Sequence, residues 1–233
     1  MPIHPHDILN AKLHEGTRMF RMNRNTTDLL AMVLVFATTV AYAQNDIEKS
    51  PQTLRGDPVA GKSKSLLCQG CHGEDGNSLS DLVPKLAGQN AGYILKQVHN
   101  FQGGIRKHAI MNDLAVTVND QDLADIAAYF ESLPVMKGTG SDNKIGEKLF
   151  LKGDISRKIV ACINCHGNNG KGLNPNASMF PVIGGQNKDY LSRQLMNFRK
   201  NERNNSPNEI MNKITHQLSD QEIEALADYV SGL

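Results

Sequence analysis

The sequence contains the pattern Cys-x-x-Cys-His twice, and the two copies use all four cysteines of the chain. On a helix, two thiols at this spacing lie about one turn apart and can add to the two vinyl groups of one porphyrin. The adjoining imidazole can then bind the iron. The pattern therefore predicts two covalently attached haem c groups. The predicted attachment residues are Cys68, Cys71, Cys162 and Cys165, and the predicted iron ligands are His72 and His166.

Two other kinds of site share part of this pattern. A zinc ribbon built from four cysteines has the same Cys-x-x-Cys spacing, but it does not need a histidine directly after the second cysteine of both pairs. A thioredoxin-like redox site needs a single Cys-x-x-Cys within a βαβ unit, and the sequence has no such unit. Haem attachment is the interpretation that uses the histidines as well as the cysteines.

The composition is compatible with this interpretation. The chain has 233 residues, enough for one or two domains, and a formal net charge of +1 with 21% charged residues. This balance gives no general attraction to nucleic acid, so we expect no nucleic-acid partner. Aromatic residues make up only 5% and tryptophan is absent. A haem would supply buried apolar surface that small domains with few aromatic residues otherwise lack.

The N-terminal region resembles a secretory leader. Residues 29–37 form an unbroken apolar run, and Ala41-x-Ala43 has the small-x-small form of a cleavage site. Three basic residues precede the run, namely Arg18, Arg21 and Arg24. We therefore predict a signal peptide over residues 1–43, with a true start near Met22, and a periplasmic mature chain. The alternative is a membrane anchor, although the apolar run is too short to span a bilayer comfortably.

After the leader, one pattern of residues occurs twice at a constant offset. The first copy contains Pro84, Gly88, Gln89, Asn90, Tyr93, Gln97, Phe101 and Arg106. The second copy contains Pro181, Gly185, Gln186, Asn187, Tyr190, Gln194, Phe198 and Arg203. Each copy follows one Cys-x-x-Cys-His motif. The repeat predicts two similar domains, residues 44–137 and 138–233, joined within the segment 134–141, which is rich in glycine and proline.

Each copy is predicted to be helical, and the chain to be an all-α protein with almost no sheet. A first helix, beginning near Asp57 or Ile145, is expected to run into the haem motif. Middle helices are expected at about 90–102 and 187–199. The last helices show apolar residues at the spacing i, i+3, i+4 and i+7, beginning at Leu123 and at Ile223. Ser219 and Glu222 have the spacing of a capping box, with a weaker version at Asn119 and Asp122.

A haem with one histidine ligand can keep an open face for reactants or take a second ligand. Residues 44–233 contain five methionines, and only Met111 and Met211 occupy equivalent positions of the repeat. Both precede the last helix, where a loop could fold across the opposite haem face, so we predict them as the second iron ligands. The other methionines are Met136, Met179 and Met196, and the rival histidines are His99, His108 and His216. None of the three histidines has a counterpart in the other copy.

These features together closely resemble the cytochrome c4 family of dihaem, two-domain class I c-type cytochromes. The resemblance rests on two Cys-x-x-Cys-His-Gly motifs, the doubled Gly-Gln-Asn…Tyr…Gln…Phe…Arg segment and the paired methionines, over residues 55–233. It implies two tandem class I cytochrome c-like domains, each wrapped around one haem. It also implies that the carbonyl groups of Pro84 and Pro181 orient His72 and His166.

The resemblance further implies a function in electron transfer. We expect a periplasmic carrier that exchanges single electrons with a respiratory donor and a terminal oxidase, with no small-molecule substrate and with possible loose membrane association. The alternatives are a dihaem peroxidase or thiosulfate-oxidising enzyme, or a cytochrome subunit of a larger complex. Arg106 and Arg203 could pair with haem propionates or could be solvated loop charges. The family's Gly-x-Arg is present at Gly104 but replaced by Asn-Glu-Arg at Asn201.

Overall fold

The structure, a computed structural model, describes residues 55–172 and 180–233. The predicted leader, residues 1–43, lies outside these ranges, as does Met179. The described residues form helices and loops, and their only β pairing is an isolated bridge between Asp154 and Ile159. This confirms the predicted all-α class. Among these residues, no helix combines the length and the apolar composition that crossing a membrane requires.

The first half contains five α-helices, and the second half follows the same order with three short 3₁₀ helices added. The helices of the first half are α1 (Pro58–Lys64), α2 (Leu66–His72), α3 (Ala91–Gln102), α4 (Ala109–Ala115) and α5 (Asp120–Ser132). Those of the second half are α6 (Lys144–Lys152), α7 (Ile163–His166), α8 (Lys188–Arg199), α9 (Ile210–Thr215) and α10 (Asp220–Gly232). The 3₁₀ helices are Ile155–Arg157, Asn168–Gly170 and Pro207–Glu209. The middle helices begin one residue after their predicted starts, and the last helices begin directly after the predicted caps, Asn119 and Ser219.

The starts of the long helices are set by side-chain caps. Ser219 and Glu222 form the predicted capping box, in which each side chain accepts a hydrogen bond from the other residue's backbone N–H. Asn119 accepts from the backbone N–H of Asp122 at 2.9 Å. These bonds satisfy N–H groups that the first turn of a helix otherwise leaves unpaired. The local sequence is therefore enough to place the two last helices.

One expectation about the second half is wrong. The first helix does not run into the haem motif there, because α6 ends at Lys152 and ten residues separate it from α7. Gly153 has a φ of 63°, and the chain then turns back through the bridge between Asp154 and Ile159. Arg157 holds this segment against α10 through a hydrogen bond of 2.6 Å to the Glu222 carboxylate. In the first half, by contrast, only Ser65 separates α1 from α2.

In each half, the first helix lies against the last helix at a glycine. A Cβ atom added at Gly61 would lie 1.9 Å from the carbonyl oxygen of Asp125. A Cβ added at Gly146 would lie 2.1 Å from the carbonyl oxygen of Ala225. No other residue type permits backbones to approach this closely. The contact lets Phe130 and Phe150 pack with no exposed surface in the cores of the two halves.

Replacement of Gly146 or Gly61 by alanine should therefore destabilise the folded protein. The helices must move apart to admit the methyl group, and we expect a loss of about 3 kcal/mol in the free energy of unfolding, despite alanine's higher helix propensity. Denaturant unfolding of the haem-loaded protein measures the change. Gly103→Ala is the matched control, because the nearest atom to its added Cβ is 3.4 Å away. Equal losses in the test and control variants would contradict the proposed close contact.

The two halves are joined by equivalent glutamines of the repeat. The side-chain amide of Gln89 donates to the carbonyl oxygen of Val182 and accepts from its N–H, both at 2.9 Å. Gln186 makes the same pair of bonds to Lys85, at 2.9 and 2.8 Å. Met136, in the segment between the halves, is buried against Val182 with 1% of its surface exposed. The repeated glutamines therefore relate the halves by an approximate two-fold symmetry.

Candidate haem-binding sites

The two motif histidines have the same surroundings. His72 ends α2 and His166 ends α7, and both are buried. Their Nδ1 atoms lie 2.8 Å from the Pro84 carbonyl oxygen and 2.9 Å from the Pro181 carbonyl oxygen, respectively. Because a carbonyl can only accept, Nδ1 must carry the proton in each ring. The predicted contacts with the two prolines are present, and each Nε2 keeps its lone pair.

Burial also keeps these rings neutral. It lowers the pKa of both His72 and His166, because the charged imidazolium loses its hydration, and the proline carbonyls offset this only in part. A neutral imidazole with a fixed tautomer is the form that binds a metal ion. The hydrogen bonds and the burial thus prepare both histidines for coordination through Nε2.

None of the four cysteines, all within the described ranges, forms a disulfide. Cys68 and Cys71 lie one turn apart on α2, and Cys162 caps α7, which contains Cys165. Burial raises the pKa of the Cys68 thiol, and raises that of Cys162 to about 11. All four line the same cavity as the two histidines.

The paired methionines lie on short helices rather than in loops. Met111 is in α4 and Met211 is in α9, and both are partly buried and line the cavity. The backbone N–H of Met111 donates to His108 Nδ1 at 3.3 Å, and that of Met211 donates to Ser206 Oγ at 3.2 Å. Neither Met136 nor Met196 lines the cavity.

The rival histidines are in other surroundings. His99 and His108 are exposed, and so is His216. His99 Nε2 lies 3.2 Å from an Asp120 carboxylate oxygen, and His216 Nδ1 lies 2.9 Å from the Asn212 carbonyl oxygen. His99 and His216 do not line the cavity. His108 does line it, but its Nδ1 accepts the backbone N–H of Met111.

The cavity runs through both halves and has a volume of about 560 Å³. This lies within the range of roughly 300–1,000 Å³ that is usual for bound organic cofactors. Most of its walls are apolar, and in each half a histidine, a methionine and two cysteines line it. The apolar residues of the walls include Ile94, Phe101, Leu123, Ile126, Leu191, Phe198, Leu226 and Val230. Apolar walls with thiol, imidazole and thioether groups fit a covalently attached iron porphyrin.

Arg106 bridges the two halves at one edge of this cavity. Its guanidinium donates to the side-chain oxygens of Gln97 and Gln194, at 2.8 and 3.0 Å, and to the Tyr190 hydroxyl at 3.1 Å. Although burial alone would raise the pKa of Tyr190, the positive charges of Arg106 and Arg203 lower it. Arg106 is thus not a solvated loop charge.

Arg203, in the second half, makes the equivalent contacts with residues of the first half. It is 7% exposed and donates to the Tyr93 hydroxyl at 3.0 Å and to the oxygens of Gln194 and Gln97, at 2.9 and 3.2 Å. Each glutamine oxygen therefore accepts from both arginines. Tyr93 and Tyr190 thus each accept a hydrogen bond from an arginine of the other half. Among the described residues, neither arginine forms an ion pair with a carboxylate.

The two loops that carry these arginines have the same conformation despite their different sequences. Gly104 has a φ of 68°, and Asn201 takes the equivalent position with a φ of 58°. The N–H groups of Arg106 and Arg203 then bond to the carbonyls of Asn100 and Asn197 at 2.9 and 3.0 Å. Asparagine tolerates this left-handed region better than most residues, so it can stand in for the missing glycine.

Sequence reasoning missed the roles of Gln89, Gln97, Gln186 and Gln194. Their bonds cross between halves, and no local pattern indicates such bonds. The repeat itself carried the available signal: these glutamines and the arginines recur at one offset, although none of them belongs to a haem motif. Polar residues that recur in both copies outside a cofactor motif are candidates for a symmetric interface.

Comparison with known proteins gives the family. The cytochrome c family model matches residues 60–134 and again 144–233. Cytochrome c4 of Pseudomonas aeruginosa is 42% identical over 181 residues, which cover 76% of this chain and 89% of that protein. A protein of Stutzerimonas stutzeri named thiosulfate dehydrogenase electron acceptor is 33% identical over 175 residues, covering 72% of this chain and 80% of its own length.

A solved structure from the same family has a similar fold. The crystal structure of reduced recombinant cytochrome c4 from Pseudomonas stutzeri matches with a TM-score of 0.72 and 40% identity, covering 76% of this chain and 99% of that one. The two family-model matches place one cytochrome c domain in each half. This chain therefore belongs to the cytochrome c4 family, and it is a dihaem electron-transfer protein with two tandem cytochrome c domains and two covalently attached haem c groups.

Proposed function

We propose that this protein carries single electrons between respiratory partners in the periplasm, toward a terminal oxidase, and that it is not an enzyme. The observation that carries the proposal is the pairing of ligands in each half. A neutral histidine and a methionine line the same cavity in both copies, so each half would supply its iron with one imidazole and one thioether ligand. Filled positions keep small molecules off the metal and favour electron transfer over bond chemistry.

We assign the residues of the two sites accordingly. The first haem is held by Cys68, Cys71, His72 and Met111, and the second by Cys162, Cys165, His166 and Met211. Each bound haem supplies an iron that gains and loses one electron. The cysteines anchor the ring covalently, and the histidines and methionines coordinate the iron. Pro84 and Pro181 fix the orientation of the imidazoles through the Nδ1 hydrogen bonds.

The positive charges of Arg106 and Arg203 contribute to the same two sites. Both arginines line the cavity and lack a carboxylate partner among the described residues. Lys96 also lines it, and its pKa is lowered by burial and by the two arginines. A cluster of positive charges at the edge of a haem cavity suits the propionates of the cofactor. We propose that these residues hold the propionate edges between the two halves.

The proposed location and partners rest on the leader and on the family. Residues 1–43, outside the described ranges, have the pattern of a signal peptide, which would deliver the chain to the periplasm. The proposed partners are a respiratory donor and a terminal oxidase, and loose membrane association is compatible with this role. The boundaries of the mature domains, 44–137 and 138–233, remain predictions.

A second candidate function concerns the electron donor. One relative is named thiosulfate dehydrogenase electron acceptor, at 33% identity. By this similarity, a thiosulfate dehydrogenase is a candidate donor for this chain, with the same two sites receiving the electrons. This differs from oxidising thiosulfate directly, which needs an iron with an exchangeable ligand position.

Spectroscopy of the purified mature protein tests the proposal. We expect the methionine–iron charge-transfer absorption for both oxidised haems and no carbon monoxide binding to the reduced protein, because no axial position is open. Thiosulfate alone should leave the haems oxidised. Carbon monoxide binding in the native protein, or turnover of thiosulfate or peroxide by the protein alone, would support the enzyme instead.

A further inference from the structure

A second, smaller cavity lies between the halves and adjoins the haem cavity, with which it shares five lining residues, namely Arg106, His108, Arg193, Gln194 and Arg203. We call it the interdomain cleft. It has a volume of about 100 Å³, and its walls include Arg106, Lys107 and His108 from the first half and Arg193, Gln194 and Arg203 from the second. A single water needs only about 10–15 Å³ of such space, so the cleft has room for a small polyatomic anion.

The approximate two-fold symmetry shows that this space is not a general feature of the interface. At the symmetry-equivalent position of the interface, the buried side chain of Asn205 fills the corresponding space. Its amide donates to Gln97 and Asn100, at 2.9 and 2.8 Å, and its oxygen accepts from Arg203 Nε at 2.9 Å. In the interdomain cleft, by contrast, His108 is exposed, and its Nδ1 accepts the N–H of Met111. The neutral amide of Asn205 thus fills the symmetry-equivalent position, whereas the interdomain cleft is open.

The interdomain cleft is strongly positive. Four cationic side chains line it (Arg106, Lys107, Arg193 and Arg203), together with one carboxylate, Glu202. Within the part of the chain that the structure describes, none of the four cations forms an ion pair. Arg193 contacts the Leu82 carbonyl oxygen through Nη2 only, and the Lys107 ammonium donates to no described residue. Donors therefore remain for a ligand.

We propose that the interdomain cleft binds a small tetrahedral oxyanion of the sulfate or phosphate class. Guanidinium groups match the oxygens of such anions, and the narrow, low-dielectric walls concentrate the positive field. Arg106 and Arg203 line both the cleft and the haem cavity. A bound anion therefore weakens the positive potential at the haem cavity and favours the oxidised protein, which in turn binds the anion more tightly.

Titration calorimetry of the oxidised haem-loaded protein tests the site. Inorganic phosphate and sulfate are titrated separately at constant ionic strength set with chloride. We expect one saturable site per chain, with a Kd on the order of 1 mM. Lys107→Gln and Arg193→Gln should each weaken binding roughly fivefold by removing one charged contact. Lys200→Gln, an exposed cation that does not line the cleft, is the matched control and should change nothing.

Two results would overturn the site: no saturable binding of either anion, or equal losses of affinity in the test and control variants. Because the haem-loaded protein is used, a haem carboxylate that already fills the cleft would appear as absence of binding. The effect on the redox state rests on the proposed haem function, whereas the binding does not. Equal affinity of the oxidised and reduced protein would overturn that effect, and a failed haem assignment would leave the calorimetry of the site intact.

Discussion

Replacement of Met111 or Met211 by alanine should lower the reduction potential of one haem and leave the other nearly unchanged. Thioether ligation favours the ferrous state, so its loss shifts the iron toward the ferric state. Axial ligands tune haem potentials over about 0.8 V, and we expect a fall on the order of 100 mV or more. The vacated position should also admit carbon monoxide in the reduced protein.

A redox titration with optical detection, followed by exposure to carbon monoxide, measures both effects. Met196→Ala is the matched control, because Met196 is partly buried in α8 and does not line the haem cavity. It should leave both potentials and both spectra in place. Ligation by these methionines would be refuted if neither potential moved in the Met111 and Met211 variants, or if Met196→Ala gave the same change.

Replacement of Arg203 by alanine should cost about 3 kcal/mol of unfolding free energy. The guanidinium is buried, and its removal leaves the Tyr93 hydroxyl oxygen and Asn205 Oδ1 without their donor, whereas Gln97 and Gln194 keep their bonds from Arg106. An unsatisfied buried polar group costs roughly 1–3 kcal/mol, and both of these oxygens lose this donor. Arg203→Lys should recover little, because a lysine cannot reproduce the planar fork.

Denaturant unfolding of the haem-loaded variants measures this loss, and Lys200→Ala provides the control from the same loop. Lys200 is exposed, so its removal should change the unfolding free energy by less than about 0.5 kcal/mol. A double-mutant cycle with Tyr93→Phe isolates the contact between the halves. Non-additive losses are expected for two residues that share a hydrogen bond, and strict additivity would show that Arg203 stabilises only its own half.

Several elements of the fold followed from local patterns. The capping box at Ser219, the 3.6-residue periodicity from Leu123 and Ile223, and the repeated Cys-x-x-Cys-His motifs placed the last helices and the haem sites. Local rules were insufficient in the segment from Gly153 to Cys162, where the chain turns back on itself before α7. They also failed to place Met111 and Met211 on helices rather than loops.

The sequence by itself determined the chemistry of this protein. Thiols, imidazole and thioether at fixed spacings, present twice, admit few functions other than two covalently bound haems. Tertiary structure alone decided how the halves meet, because Arg106, Gln194 and Tyr190 become partners only when two distant segments dock. The same docking fills one position of the interface with Asn205 and leaves the symmetry-equivalent interdomain cleft open and positive. Such contacts depend on the relative placement of two folded domains, which no periodicity within either domain encodes.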